Sequence, residues 1–330
     1  MTLLDVRDLS VTYRDGNRDI PAVRGVSFTL DRGETLGVAG ESGSGKTTMV
    51  LSLLRLLPKN AKVTGQVLFQ GEDLLTAKWS TLRAVRWNGA SVVFQGAMSA
   101  LNPVRPIGEQ ICEPILLHEK VSPRVARRRA AELLDSVGIS QQRMGSYPHE
   151  FSGGQRQRIM IAMALACRPD LIIADEPTTA LDVMVQAQIM ELFTDLVRDF
   201  GVGVIMISHD LSVLSEMCGR LAVMYAGEIV ETGPSQQVIE APEHPYTDAL
   251  SRAFPTIGDP ASRFAPSGLP GDPPDVSALG DGCAFAERCA HAVDDCRTRT
   301  MELWPAGDRR TAACLRVLDA HTPATEGSRS

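Results

Sequence analysis

Residues 40 to 47 read Gly-Glu-Ser-Gly-Ser-Gly-Lys-Thr and satisfy G-x-x-x-x-G-K-[ST]. The motif follows a short apolar run, Thr35 to Ala39, and opens a helical pattern over Lys46 to Leu57, with Met49, Val50, Leu53, Leu54 and Leu57 on one face and Pro58 as the stop. Glycines let the backbone curl until successive N–H groups point at one phosphate chain, and the helix that follows adds its positive end. Gly40, Ser42, Gly43, Ser44, Gly45 and Thr48 would line this cradle, Lys46 would reach the β- and γ-phosphates, and Thr47 would offer its hydroxyl to Mg²⁺. A second group of residues completes the chemistry. The run LIIADE, 171 to 176, carries four apolar residues into two carboxylates, so a buried strand would set Asp175 beside the loop to support Mg²⁺ and Glu176 to polarise an attacking water. A glycine-rich turn with a solvated lysine and an ordinary strand end are the bland alternatives. The strand–loop–helix setting and the pairing of the two motifs argue against both.

A phosphate loop fixes the chemistry without naming the machine. Phe-Ser-Gly-Gly-Gln at 151 to 155 narrows the choice, because it precedes a helical stretch, Gln155 to Ala166, and so offers Ser152, Gly153 and Gly154 as a second anion-binding helix start. With Gln95 after the strand pattern Ser91 to Phe94, Ala-Leu-Asp at 180 to 182, and His209 after the strand pattern Val204 to Ile207, residues 1 to about 255 resemble the ATP-binding subunit of ABC transporters. That resemblance implies an α/β, P-loop NTPase core with an antiparallel β subdomain and a helical subdomain at about 100 to 165. It further implies that Tyr13 stacks on adenine, that Gln95 senses Mg²⁺, water and a membrane partner, that Asp182 lies at a subunit contact, and that His209 holds the γ-phosphate. Ser152, Gly153, Gly154 and Gln155 would close over the ATP of an opposite subunit. One phosphate loop and one such signature, facing apart in this family, imply a second ATPase chain, either a paralogue or another copy. Two residues depart from the usual pattern: Phe151 stands where leucine is commoner, and Gly96-Ala97 stands where aspartate-proline often follows the glutamine.

Four of seven cysteines, Cys283, Cys289, Cys296 and Cys314, fall in the last part of the chain, behind MYAGEIVETG (224 to 233) and HPYT (244 to 247). This combination resembles the carboxyl-terminal extension of dipeptide and oligopeptide importer ATPases, in which four cysteines hold a [4Fe–4S] cluster. Thiols without a close C-x-x-C pair suit an iron–sulfur cube better than a compact zinc knuckle; zinc is the alternative metal, and reduced, unliganded thiols are a third reading. Cys112, Cys167 and Cys218 read as core residues. The importer resemblance implies two membrane permease subunits, an extracytoplasmic substrate-binding protein, and a peripheral location on the cytoplasmic face of the membrane. Three competing readings are an importer ATPase for nickel or another small solute, a soluble ABC-type ATPase acting on nucleic acid or ribosomes, and an iron–sulfur redox enzyme.

The elements that must position these groups are legible in outline. The chain has 330 residues, 44% hydrophobic and 22% charged, enough for about two domains and far from the composition of disordered chains. A net charge of −7 argues against a nucleic-acid partner. The longest apolar run, Ile159 to Cys167, is too short to cross a bilayer, and the amino terminus carries no secretory pattern, so a cytoplasmic chain is expected. Alternation over residues 1 to 35, broken at Asp15, Gly16 and Asn17, predicts antiparallel strands. Leu171 to Ala174 and Val204 to Ile207 predict buried, mostly parallel strands, and Gly65 to Phe69 a further strand. Between them a helical insert is expected at about 107 to 147. Ser122 and Pro123 start one of its helices, Val125, Ala130, Leu133, Leu134 and Val137 form its apolar stripe, and Gly138 ends it. Its arginines 124, 127, 128 and 129 read as a solvated face. Six prolines between 255 and 274 predict a surface linker, dividing an ATPase domain (1–255) from an extension (256–330).

Overall fold

The computed structural model describes residues 1–94, 100–179, 181–253, 269 and 271–321. Strands β1 (Thr2–Asp15) and β2 (Arg18–Asp31) form the antiparallel hairpin expected from the alternation, turning at Gly16. With β4 (Ala61–Phe69) and β5 (Glu72–Asp73) they make a four-stranded sheet in the order β2-β1-β4-β5.

The second sheet has eight strands. Its centre is parallel: β3 (Thr35–Ala39), β6 (Ala90–Val93), β7 (Leu171–Asp175), β8 (Gly203–Ile207) and β9 (Arg220–Tyr225) pair in the order β9-β3-β8-β7-β6. β7 and β8 are buried at every position because both faces are covered. Leu171, Ile173, Ile205 and Ile207 join the core under the antiparallel sheet, whereas Ile172, Ala174, Val204 and Met206 join the core under the helices. Each of the larger side chains among these, removed from water, stabilises the fold by roughly 1.5–3 kcal/mol.

Helix α1 (Lys46–Leu53) follows the phosphate motif, α2 spans Trp79–Asn88, and the expected helical insert contains α3 (Ile107–His118) and α4 (Pro123–Ser136). The Ser122 hydroxyl accepts the Val125 N–H at the start of α4, and Gly138 at φ 74° follows its end, as anticipated. Helix α1 stops four residues earlier than its apolar pattern suggests. Arg86 donates to the Leu54 carbonyl (Nε, 3.0 Å; Nη2, 2.7 Å) and to the Arg55 carbonyl (2.7 Å), satisfying oxygens that another turn would have used. Of the four arginines of α4, Arg129 is not on a solvated face: it is largely covered and pairs with Glu119 at 2.6 Å. Helix α5 (Gly153–Ala164) begins inside the Ser-Gly-Gly motif, two residues before the expected Gln155 start, and also ends two residues early. Helix α6 (Val183–Phe200) follows β7, and α7 (Leu211–Met217) follows β8. No helix among the described residues is long and apolar enough to cross a membrane.

Of the proline-rich stretch, only residues 269 and 271–274 are among those described. Beyond it, the chain returns to the main sheet. β10 (Glu228–Pro234) pairs antiparallel with β9, and the short strands β11 (Trp304–Pro305) and β12 (Thr311–Ala312) extend the same edge through β10. The join is charged as well as hydrogen-bonded. Glu231, fully buried, accepts Arg310 Nη2 at 2.6 Å and the N–H groups of Glu243 (3.0 Å) and His244 (2.9 Å). His244 opens helix α8 (Pro245–Ala253), its Nδ1 accepting the Tyr246 N–H at 3.0 Å. Complete burial pushes the His244 pKa down to about 4, from an ordinary 6.5.

A folded-state pKa below the unfolded one means that the unfolded chain takes up the proton first. The contribution is therefore complete above pH 6.5 and is lost as pH falls toward 4. Between pH 7 and pH 5 the loss from this residue should be about 2 kcal/mol. Urea unfolding of the wild type and of His244→Asn, which keeps an oxygen for the Tyr246 N–H, should show that much less acid sensitivity in the variant.

Candidate nucleotide site

The phosphate motif lies at the carboxyl end of β3, between parallel neighbours β8 and β9. Its glycines are required for two distinct reasons. A Cβ on Gly40 would meet the Met224 carbonyl oxygen at 2.3 Å, and one on Gly45 (φ 98°) would meet the Ala22 carbonyl oxygen at 2.2 Å. Gly43, at φ 81°, has open space around it and needs only the left-handed conformation. Ser42 and Gly43 are exposed at the tip, and the Ser44 N–H closes the turn on the Glu41 carbonyl at 3.2 Å.

Lys46 is buried and folds back into the loop, its Nζ donating to the Gly40 carbonyl (2.8 Å), the Glu41 carbonyl (2.7 Å) and Ser44 Oγ (3.2 Å). Burial lowers its pKa, while the nearby carboxylates of Glu176, Asp175 and Glu41 oppose that shift. Thr47 Oγ1 donates to Asp175 Oδ1 at 3.3 Å. Asp175 is itself buried at the end of β7, and desolvation raises its pKa against the lowering effect of that bond. The two motifs thus meet through their hydroxyl and carboxylate. Tyr13, on β1, reaches the same helix start, its hydroxyl 3.3 Å from Thr48 Oγ1.

Glu176 follows β7 in the left-handed region, φ 45°, its N–H bonded to the Ile207 carbonyl at 3.0 Å. Positive φ at a residue with a Cβ is a strained arrangement that needs surrounding support. Thr179 Oγ1 donates to one carboxylate oxygen at 2.8 Å, and His209 Nδ1 lies 3.5 Å from the other. Strands β7 and β8 therefore end in an acid and a histidine that face each other, a pairing their separation in sequence did not announce.

The Ser-Gly-Gly-Gln turn is built on its own hydrogen bonds. Ser152 Oγ accepts the Gln155 N–H (3.3 Å) and Gln155 Oε1 accepts the Ser152 N–H (3.1 Å), a reciprocal cap on α5. A Cβ on Gly154 would run into Val185 at 2.4 Å, and one on Gly153 would lie 3.8 Å from Leu181, so the turn packs on the start of α6. Asp182 caps that helix by accepting the Val185 N–H at 3.0 Å. Phe151 is buried beneath the Arg143 guanidinium, 3.8 Å from its ring centre, which gives the larger aromatic a charged partner there. Gln95, the Gly96-Ala97 departure and Ala180 lie outside the described residues.

Three residues of the site escape sequence reasoning. Glu41 accepts Arg288 on both oxygens, at 2.7 and 3.1 Å, while its N–H donates to the Tyr246 hydroxyl at 2.8 Å. Tyr246 belongs to HPYT, a visible signal whose structural purpose only the fold reveals.

The four tail cysteines line one cavity of about 90 Å³ together with His244 and Phe285. Burial raises the Cys283 thiol to about 11 and pushes Cys289 and Cys314 upward as well. No group of three or more His, Cys, Asp or Glu among the described residues is close enough to hold a metal ion. Of the remaining cysteines, Cys167 and Cys218 are buried, their thiols raised by burial to about 11 and about 12, while Cys112 is partly exposed.

A phosphate loop on a parallel sheet, an adjacent Asp–Glu strand end and a second helix that a serine caps over two glycines define an ATPase cassette. The comparisons agree: residues 23–179 match the family described as ABC transporter, and residues 230–296 match the carboxyl-terminal region of oligopeptide/dipeptide transporters. The chain belongs to the ATP-binding proteins of the ABC transporter family and is an ATPase of that class. It is 43% identical to the oligopeptide transport ATP-binding protein OppD of Salmonella typhimurium, covering 96% of this chain and 94% of that one. It is 44% identical to OppD of Bacillus subtilis, covering 88% and 82%. A solved dimer of the ATP-binding cassette MJ0796 bound to ADP and Pi superposes with a TM-score of 0.64 at 28% identity, over 70% of this chain and 98% of that one.

Gly45→Ala should weaken binding of a fluorescent ATP analogue more than tenfold, since its Cβ has a backbone oxygen to displace. Gly43→Ala, which meets nothing, should lose clearly less. Equal losses in a titration of the two variants would contradict the steric account of Gly45.

Proposed function

We propose that this protein is the ATP-hydrolysing subunit of an importer that carries dipeptides or oligopeptides across the cytoplasmic membrane. The observation that carries the chemistry is the meeting of Lys46, Thr47, Asp175, Glu176 and His209 at one end of the parallel sheet. Peptide as cargo rests on the match of residues 230–296 and on relatives named for oligopeptide transport.

In this reading Lys46 exchanges its loop carbonyls for the β- and γ-phosphate oxygens, and the loop N–H groups hold the same chain. Thr47 and Asp175, with Gln95, would hold Mg²⁺, which neutralises developing charge on the phosphates when bound. Glu176, steadied by Thr179, orients water at the γ-phosphate, and His209 contacts the phosphoryl oxygens. Tyr13 would stack on adenine. Phosphoryl transfer needs mainly positioning and charge stabilisation, which these fixed groups provide.

The signature residues Ser152 to Gln155 would close over the nucleotide of a second ATPase chain, a paralogue or a second copy. Val183 (76% exposed) and Met184 (71%) beside Asp182 support a covered face there. Two permease subunits and an extracytoplasmic binding protein would complete the importer, placing this chain peripherally on the inner face of the membrane. Residues 1–255 would form the ATPase domain, with a helical subdomain near 100–165, and 256–330 its extension.

The four tail thiols are further read as ligands of a [4Fe–4S] cluster. Their shared cavity supports this, because four thiolates that converge on one covered space could hold a cube between them. The role would be structural or regulatory, soft thiolates in a covered cavity holding the tail together.

Glu176→Gln should reduce steady-state ATP hydrolysis at least a hundredfold while preserving ATP-dependent dimers on a sizing column; hydrolysis at the wild-type rate would remove Glu176 from catalysis. Protein purified without oxygen should contain about four irons per chain and absorb in the visible, and Cys289→Ser should lose both. Stoichiometric zinc, or neither metal, would refute the cluster.

A further inference from the structure

Arg288 stands immediately before Cys289, and its side chain is only 6% exposed. It crosses from the cysteine-bearing tail to the second residue of the phosphate loop. Nη1 donates to Glu41 Oε2 at 2.7 Å and to the Tyr225 hydroxyl at 3.2 Å, and Nη2 donates to Glu41 Oε1 at 3.1 Å. This two-point grip fixes the direction of the carboxylate as well as its distance.

Glu41 is held from a second side by the Tyr246 hydroxyl, and its own carbonyl is one of three acceptors for Lys46. The tail therefore connects with the loop residue that helps position the phosphate-binding lysine. The connection is rigid. Phe285, two residues after Cys283, packs edge-on against Tyr225 (ring centres 5.3 Å apart) and against Tyr246 (5.4 Å), and all three rings are buried. Backbone bonds close the same segment on itself: the Cys283 N–H donates to the Cys296 carbonyl at 2.7 Å. A second contact ties the later part of the chain to the first hairpin. Arg18, at the hairpin turn of the strands that carry Tyr13, bonds Asp275 and donates from Nε to Ser277 Oγ at 2.8 Å.

We propose that Arg288 is a positioning residue for the phosphate loop, so that ATP affinity depends on the fold of the cysteine segment 283–296 through the Arg288–Glu41 pair. This rests on the reading of residues 40–47 as the ATP site. Whatever orders or releases the three thiols of this segment would then tighten or loosen the grip on nucleotide, without any change in the groups that act on the γ-phosphate.

The test is a double-mutant cycle on the full chain, read by titration with a fluorescent ATP analogue and by steady-state kinetics. Arg288→Met and Glu41→Gln should each weaken ATP binding about tenfold, and the double variant should be no weaker than either. Arg288→Lys, which keeps the charge but not the two-point grip, should fall between wild type and Arg288→Met. KM should rise while kcat at saturating ATP stays within about twofold, a split that general destabilisation would not produce. Cys289→Ser should weaken binding in the wild-type background and add nothing in Arg288→Met. Additive losses, unchanged affinity in Arg288→Met and Arg288→Lys, or a Cys289→Ser effect that persists without Arg288 would each overturn the proposal. Failure of the wild-type chain to bind ATP would instead overturn the reading of residues 40–47.

Discussion

A lysine ammonium withdrawn from water must be surrounded by oxygen, and much of this fold serves that requirement. Lys46 is buried where three strand ends meet, among two loop carbonyls, a serine hydroxyl and the fields of three carboxylates. Desolvation alone would push such a group toward neutrality; the oxygens and acids around it favour the charge. The loop shape follows from the same demand. Turning the carbonyls of Gly40 and Glu41 inward forces neighbouring residues into left-handed conformations and brings the backbone within contact of Ala22 and Met224. Only glycine meets both conditions at Gly40 and Gly45.

Around that centre the sheet acts as a ruler. Parallel strands β3, β7 and β8 run in register, so their carboxyl ends bring Gly40, Asp175, Glu176 and His209 to one edge from distant parts of the sequence. The strain at Glu176 is sustained by its N–H bond to the Ile207 carbonyl and by the Thr179 hydroxyl on its carboxylate. A flexible loop could carry the same residues but could not hold an acid and a histidine 3.5 Å apart without a partner to fix them.

The tail is part of this arrangement. Its strands extend the cassette sheet beyond β10, its arginine Arg310 neutralises the buried Glu231, and its phenylalanine fills the space between Tyr225 and Tyr246. A buried pair such as Glu231–Arg310 adds little net stability compared with apolar residues, but losing either partner strands the other, typically at a cost of about 3–5 kcal/mol. Such a contact ties two segments in one relative position. The motifs MYAGEIVETG and HPYT are the cassette's half of that junction, which accounts for Glu231 and His244 having partners in the tail, Arg310 and Phe285, and for Tyr246 having one in the phosphate loop, Glu41.

Local features were determined by the sequence itself. The phosphate loop, the strand carrying Asp175 and Glu176, the hairpin at Gly16 and the cap at Ser122 all rest on short-range rules of glycine conformation, side-chain alternation and hydrogen-bond capping. These rules act within a few residues. The end of α1 was not legible, because it is set by Arg86 reaching back from another helix, and Arg129 left the solvated face because Glu119 offered it a partner. Only the tertiary structure decided that Glu176 faces His209, that Tyr246 and Arg288 grip Glu41, and that the four tail thiols line a common cavity. Such contacts depend on where strands and helices come to rest after burial of two cores, and a side chain's own neighbours in the chain carry no record of what will lie across from it.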